Sequence, residues 1–490
     1  MLIYMQNLNL PAIWPVACHT DQIGPSSTFV AIQGQASNGL EFVLLALQKG
    51  ASKIVVDQLF VTPELQELVA SFGAQLILVS NPRKALSDLS AQAWGYPAKK
   101  LKLIGITGTK GKTTSVYALR QILAQSGKQV AMLTGVENMI GNQKWSAQLT
   151  TPQPDFLHMF LAQCVQAGIE YVVMEASAQA LSLNRLDDLL FTSIIFTNLE
   201  LEHSEFYPNI ETYFLAKCQL FNLLKPKACV VLNCDDLWVQ KILANQASFF
   251  KKDLGLKIMK FGNNLNQQFL PDFYLDLLNS DLSFGLKFNL IKQDKAQFKI
   301  DAQKAFGAYN SYNLAGTVLC AQELGLAREQ IEQALRNFTG APGRLEIYTL
   351  PNGARGVVDY AHTPGSFKNV LQLLRVQTNH LIIIFGAGGG RDPIKRPVMG
   401  QIAQQFCDIV ILTNDNPRQE EPGSIIKQII GIQDPRNFLL ELDRAQAIQL
   451  AYNLSKPESI IVLLGKGPDE YQIIGTQKFF FSDRQALLNL

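Results

Sequence analysis

The stretch GITGTKGKTTS, Gly105 through Ser115, decides the fold. An apolar run, KLIGI, leads into it, and a helical pattern, SVYALRQILA, leads out of it. A strand that turns through glycines into a helix is suited to holding phosphate. The glycines let backbone N–H groups face phosphate oxygens, and the helix presents its positive end to them. Lys112 can neutralise the β and γ phosphates and Thr113 can ligate Mg²⁺, while Gly108, Thr109, Lys110, Gly111 and Thr114 complete the loop. Position 106 is Ile106, so the spacing is not the common G-x-x-x-x-G-K-[ST]. The bland reading is a glycine-rich turn with an incidental lysine.

Outward from this loop, short β-branched runs alternate with helical patterns: SKIVVD near 52, QLILVS near 75, YVVMEA near 171 and TSIIFTN near 192. Such alternation predicts an α/β fold with parallel sheets covered by helices. The strands show little period-2 alternation, as expected where both faces are buried. At roughly 150 residues per domain, 490 residues make about three domains. One boundary falls near GYPAKKLK and another near TGAPGRLE, Thr339 to Glu346. The expected division is a small α/β domain over 1–97, a central mostly parallel phosphate-loop domain over 98–338, and a Rossmann-like α/β domain over 339–490. An insertion near 262–300 reads as antiparallel strands, LSFGLKFNLI and AQFKIDA among them.

Composition excludes several classes. Hydrophobic residues make up 47% and charged residues 17%, with a net charge of +2, so neither disorder nor an electrostatic footprint for nucleic acid or membrane is expected. Seven cysteines without a C-x-x-C pair argue against a disulfide framework or a structural zinc site and fit a reducing compartment. The start, MLIYMQNLNLPAIWP, lacks the basic region of a signal peptide, and the longest strongly apolar stretch, around Leu381 to Phe385, is strand-sized. A cytoplasmic protein is expected, working as a monomer on small molecules.

Further constellations carry polar groups at strand ends. In VVMEASAQALSLNRL, Glu175 closes an apolar strand where α/β sheets bind ligands, and it is a candidate Mg²⁺ ligand. Alone, a surface role would suit it as well. In FTNLELEHSEFYPNIETYFLAKCQLF, Asn198 follows a strand, His203 lies in a loop and Lys217 on a helix; a structural histidine and a solvated lysine are the bland alternatives. Asp235 and Asp236 suit metal or a helix cap. Asn310 and Asn313 open a helix in FGAYNSYNLAG, and capping competes with binding there. GAGGGRD has the look of a dinucleotide fingerprint, but in a weak form.

Taken in order, T-G-T-x-G-K-T, the Glu175 segment, N-L-x-x-x-H, A-K-x-x-L-F, APGRLE, DYAHTP, DNPR and GKG resemble the Mur ligases, MurE type. The resemblance covers nearly the whole chain. It implies an ATP-dependent acid–amino-acid ligase that works through an acyl phosphate in peptidoglycan synthesis. The expected acceptor is UDP-N-acetylmuramoyl-L-alanyl-D-glutamate, and the expected nucleophile a diamino acid. Lys112, Glu175, His203 and Lys217 would be catalytic. Thr113, Glu175, His203 and a carbamylated Lys217 (N6-carboxylysine) would hold Mg²⁺. ATP would meet residues 108–114, Asn313, Arg344 and Asp359. Thr150, Thr151, Ser177 and Arg185 would bind the muramoyl peptide. The amino acid would meet Arg391, Asp415, Asn416, Arg418, Gly465 and Asp469, and DNPR would mark meso-diaminopimelate rather than L-lysine. Residues 1–97 would hold the uridine nucleotide through DQIGPSSTFVAIQG. The chain departs from the pattern at Gln22, Ile23, Ala178, Gln179, Glu202 and Pro468. Folylpolyglutamate synthetase, a paralogue with another amide, and a silent nucleotide-binding protein are the alternatives.

Overall fold

A computed structural model describes residues 11–34, 37–200, 202, 206–264 and 268–490. Packing divides the chain into two compact units, one running up to Tyr274 with Asn313–Ile331, the other comprising Leu275–Tyr312 and Glu332–Leu490. The first unit holds two sheets. A four-stranded parallel sheet runs in sequence order through Val16–Ala17, Thr28–Val30, Lys53–Asp57 and Gln75–Val79. Its core gathers Trp14, Phe29, Val43, Ile54 and Val56, apolar residues that the β-branched runs supply.

The larger sheet places Lys102–Thr107 between Tyr171–Glu175 and Phe191–Phe196, both parallel to it. Leu224–Asn233 and Lys257–Gly262 extend the sheet beyond Phe191–Phe196. On the other side lie Val130–Leu133, Glu137–Ile140 and Gln143–Ser146, the last two antiparallel. Leu103, Ile104 and Ile106 are all buried, which accounts for the lack of alternation in that strand. Register puts Ile106 opposite Glu175 and Thr107 opposite Phe196, so the glycine loop, Glu175 and the Thr197–Asn198 turn emerge together at the carboxyl edge.

In the second unit, Glu346–Thr349 lies antiparallel to Arg355–Asp359. The parallel strands Ile460–Leu464, Leu381–Phe385, Ile409–Leu412 and Leu439–Leu440 follow in that spatial order. A hairpin, Tyr471–Ile474 with Gln477–Phe480, stands apart from the sheet. The antiparallel pair Gly285–Lys292 and Lys295–Ala302 matches the insertion read from sequence. Its segment packs within this unit, where Leu282 shares a core with Val357, Phe367 and Leu371. All seven cysteines are free. Among the described residues no helix is long and apolar enough to cross a membrane.

Candidate active site

The helix Lys112–Gln125 begins behind Gly111, whose φ of +84° is left-handed backbone that glycine adopts without strain. A Cβ on Gly111 would lie 1.9 Å from Asn313 Oδ1, and one on Gly108 would lie 2.0 Å from Thr197 Oγ1. The loop is therefore packed against two polar side chains that only glycine tolerates. It is anchored from the neighbouring strand end: Thr109 N donates to Asn198 O and Lys110 N to Asn198 Oδ1, each at 2.9 Å. Thr197 Oγ1 donates to Lys110 O at 2.7 Å, and Lys110 Nζ pairs with Glu202 at 2.7 Å. Glu202, one of the departures from the pattern, thus holds a loop lysine through its charge.

Two ammonium groups converge on one carbonyl. Lys112 Nζ donates to Gly108 O and Thr109 O, each at 2.9 Å, and Lys217 Nζ donates to Gly108 O at 2.8 Å. Lys217 lies near the end of the helix Ile210–Cys218, 1% exposed, with its ammonium 4.4 Å from the Tyr213 ring centre. Burial, and then the Lys112 charge, push the Lys217 ammonium well below its ordinary value. A buried amine driven towards its neutral form is the form that can add carbon dioxide.

Glu175 is buried at its strand end. Its Oε1 accepts from Thr113 Oγ1 at 2.8 Å and from Gly135 N at 3.1 Å. Thr113 and Glu175 thus place hard oxygens side by side at the start of the phosphate-loop helix, a donor type that suits Mg²⁺. Lys217 as an ammonium brings no oxygen, whereas its carbamate would. His203 lies outside the described residues.

Next to Glu175, Thr151 Oγ1 donates to Glu175 O at 2.8 Å and lies 3.2 Å from Ser177 Oγ. Arg185 Nη1 donates to Thr151 O at 2.9 Å, and Thr150 Oγ1 lies 3.0 Å from where a Cβ on Gly135 would stand. The four residues expected to meet the muramoyl peptide thus cluster around the end of the Glu175 strand. Ala178, a departure, is buried in the short helix capped by Ser177. Asp236 caps the helix Leu237–Ala244 through Trp238 N and Val239 N, the structural one of its two readings.

A second polar site occupies the carboxyl edge of the six-stranded sheet. Arg418 Nη1 donates to Gly389 O at 2.8 Å, and a Cβ on Gly388 would lie 3.0 Å from that nitrogen and 3.5 Å from Arg391 Cγ. Both arginines thus flank one glycine. Arg418 has a φ of +52°, held by Arg418 N donating to Ile473 O at 3.0 Å and Gly475 N donating to Arg418 O at 2.8 Å. Asn416 Oδ1 accepts from Ile473 N at 2.8 Å. Asp415 Oδ2 would lie 2.7 Å from a Cβ on Gly465. Burial pushes the Asp469 carboxyl up to about 6, against the opposing pull of Lys466. Pro468 bears on the APGR turn, since a Cβ on Gly343 would lie 2.2 Å from Pro468 N. Asp359 accepts from Leu345 N at 2.9 Å and Ala361 N at 2.7 Å, and the Arg344 guanidinium lies 4.7 Å from the Tyr360 ring centre.

Sequence reasoning missed Thr197, Tyr213 and Gly135, whose parts depend on packing alone. It also missed a cavity of about 260 Å³ at the carboxyl edge of the first sheet, where Gln33, Asn38, Asp57, Asn81 and Arg83 are among the lining residues. Ala31, Ile32 and Gln33 there belong to the segment expected to meet uridine; Gln22 is instead buried.

A phosphate loop with a buried lysine and an apposed carboxylate, followed by a domain with paired arginines, defines an ATP-dependent ligase. Residues 106–321 match the Mur ligase middle domain and 343–467 the Mur ligase, glutamate ligase domain. The chain belongs to the Mur ligase family. It is 36% identical over 468 residues to the UDP-N-acetylmuramoyl-L-alanyl-D-glutamate–2,6-diaminopimelate ligase of Clostridium tetani, covering 95% of this chain and 92% of that one. It is 34% identical to the enzyme of the same name from Clostridium perfringens, covering 96% and 93%. A solved structure of a ligase of that name superposes with a TM-score of 0.65 at 26% identity, covering 97% of this chain and 94% of the other.

Proposed function

We propose that this protein adds meso-diaminopimelate to UDP-N-acetylmuramoyl-L-alanyl-D-glutamate in the cytoplasm, using ATP and Mg²⁺. The convergence of Lys112 and Lys217 on Gly108 O supports this reading most directly. Lys112 leaves its loop carbonyls to hold the β and γ phosphates, and Thr113, Glu175, His203 and a carbamate on Lys217 would hold Mg²⁺. Bound there, Mg²⁺ would offset the charge that develops as the γ-phosphoryl group moves. The glutamate carboxylate of the acceptor, held by Thr150, Thr151, Ser177 and Arg185, takes that group to form an acyl phosphate. The amine of the diamino acid then attacks and phosphate leaves. Arg418 and Arg391 clamp the distal carboxylate of diaminopimelate, while Asp469 and Asp415 face its distal ammonium. Asn313 meets the adenine, and the nucleotide roles of Arg344 and Asp359 belong to the same reading.

Three domains follow from this assignment: 1–97 for the nucleotide sugar, 98–338 for ATP and 339–490 for the amino acid. The cavity on the first sheet suits the uridine end, and small molecules are the only partners required. L-lysine and a folylpolyglutamate-type substrate are not favoured, because the clostridial relatives are named for 2,6-diaminopimelate. The test is phosphate release with the muramoyl dipeptide and either diaminopimelate or L-lysine. Release dependent on both the dipeptide and diaminopimelate is expected; equal rates with lysine would refute the specificity, and no release with either would refute the function.

A further inference from the structure

The loops that carry Arg418 and Asp469 leave two strands, Ile409–Leu412 and Ile460–Leu464, that are not neighbours; Leu381–Phe385 lies between them. No hydrogen bond between neighbouring strands of the sheet therefore joins Asn414 to Leu464; the loops meet again only further out, where Arg418 N donates to Ile473 O and Gly475 N to Arg418 O. At the strand ends themselves a buried side chain spans the gap. Arg444, the first residue of the helix Arg444–Leu454, donates from Nη1 to Asn414 O at 3.4 Å and from Nη2 to Leu464 O at 3.2 Å. Asn414 immediately precedes Asp415, and Leu464 immediately precedes Gly465.

The guanidinium is itself locked. Nε and Nη2 donate to the two carboxylate oxygens of Asp483 at 2.7 Å each, and both side chains are 0% exposed. A planar fork fixed by a bidentate carboxylate has little freedom left, so the two carbonyls it holds are fixed with respect to each other. Gln472 Nε2 also donates to Asn414 O, at 3.3 Å, which ties the hairpin to the same point. The strand between the two loops ends at Gly386, where a Cβ would lie 2.2 Å from Thr413 O; the chain leading to Asp415 crosses directly above it. A buried ion pair is weak evidence for stability, because desolvation offsets most of its attraction. Its placement behind two binding loops calls for another explanation.

We propose that Arg444, locked by Asp483, is a positioning residue for the amino-acid site, setting the distance between the loop of Asp415 and Arg418 and the loop of Gly465 and Asp469. It touches no substrate. The proposal rests on the reading that these loops bind the diamino acid. A substrate that must engage both loops is sensitive to their separation, so the effect falls on recognition of the amino acid.

Arg444→Lys keeps the positive charge but cannot span a carboxylate and two carbonyls. In the full-length enzyme it should raise KM for diaminopimelate at least tenfold while KM for ATP stays within twofold. Hydrogen exchange without substrate should show the Arg418 and Gly465 amides exchanging at least ten times faster, with Ile382 to Ile384 unchanged. Asp483→Asn, which retains shape and one acceptor, should move the same readouts in the same direction by less. A folded variant of either kind with unchanged KM and unchanged loop exchange overturns the proposal, as does a parallel rise in KM for all substrates. Failure of both variants to fold also overturns it, because the pair would then serve the fold rather than the site. The exchange measurement needs no substrate, so it separates this idea from the assignment of diaminopimelate, which wild-type turnover tests.

Discussion

Arg418 offers the sharpest perturbation, because the structure predicts opposite effects on activity and stability. Its guanidinium is aimed beside Gly388, and its backbone sits at φ +52°. For a non-glycine residue that conformation costs about 1–2 kcal/mol. Glycine would remove the strain but lose about 0.5–1 kcal/mol in chain entropy. Arg418→Gly should therefore melt no lower than wild type, with a net gain between zero and about 1.5 kcal/mol. Its activity should collapse. Losing one partner of a desolvated charged pair costs about 2–5 kcal/mol, so kcat/KM for diaminopimelate should fall between about thirtyfold and several thousandfold. Arg418→Ala should lose as much activity without regaining stability, and Arg418→Lys should fall between them because a point charge cannot clamp a carboxylate from two sides. Initial rates across diaminopimelate concentrations, with melting curves on the same preparations, read both quantities. Unchanged diaminopimelate kinetics in Arg418→Ala would refute the clamp, and clear destabilisation of Arg418→Gly would refute the strain.

Other outcomes follow from the same geometry. Lys112→Ala should abolish phosphate release while leaving the fold intact, as circular dichroism can check; wild-type rates in a folded variant would remove Lys112 from the reaction. Lys217→Ala should be nearly inactive and partly rescued by short carboxylic acids, and full activity in bicarbonate-free buffer would dismiss the carbamate. The Asp469 carboxyl, pushed up to about 6 by burial, is the charged partner of an ammonium only above that pH. Apparent affinity for diaminopimelate should therefore fall as pH drops through about 6, and Asp469→Asn should erase that limb from the profile. His158, buried with both ring nitrogens unpartnered, is held neutral, its value lowered by burial to about 4. The unfolded chain binds this proton first, so the contribution is present above the unfolded value near 6.5 and is lost as pH falls towards 4, about 3 kcal/mol in all. His158→Gln should flatten that part of the stability curve, measured by denaturant titration at several pH values.

How much of this was legible in the sequence depends on how far each feature reaches along the chain. The phosphate loop is local: strand, glycines and helix follow one another, so its apolar run and left-handed glycine positions declare it. The parallel sheets are nearly as local, because burial on both faces erases alternation within each strand. Lys217 is different. A lysine on the helix Ile210–Cys218 looks like any solvated helix lysine, and nothing nearby encodes a burial that comes from Gly108 and Tyr213. Only the resemblance singled it out.

Arg444 was harder still. At the start of a helix, behind the cap Asp443, it has the sequence context of a surface residue, and it is buried because Asp483, Asn414 and Leu464 converge on it from three other segments. The cavity on the first sheet is assembled in the same way, from the ends of separate strands and the turns that follow them. Periodicity reports which face of an element is buried, whereas binding sites in α/β folds form where several elements end. Side chains at those ends are polar whether they bind a ligand, cap a helix or hold a loop. Asp359 shows the ambiguity: its carboxylate accepts from Leu345 N and Ala361 N, a structural duty that any ribose contact would have to share. A substitution there would therefore mix loop damage with lost nucleotide contact, whereas Arg418, whose side chain donates to Gly389 O and Asn416 O, reports on the proposed amino-acid site more cleanly.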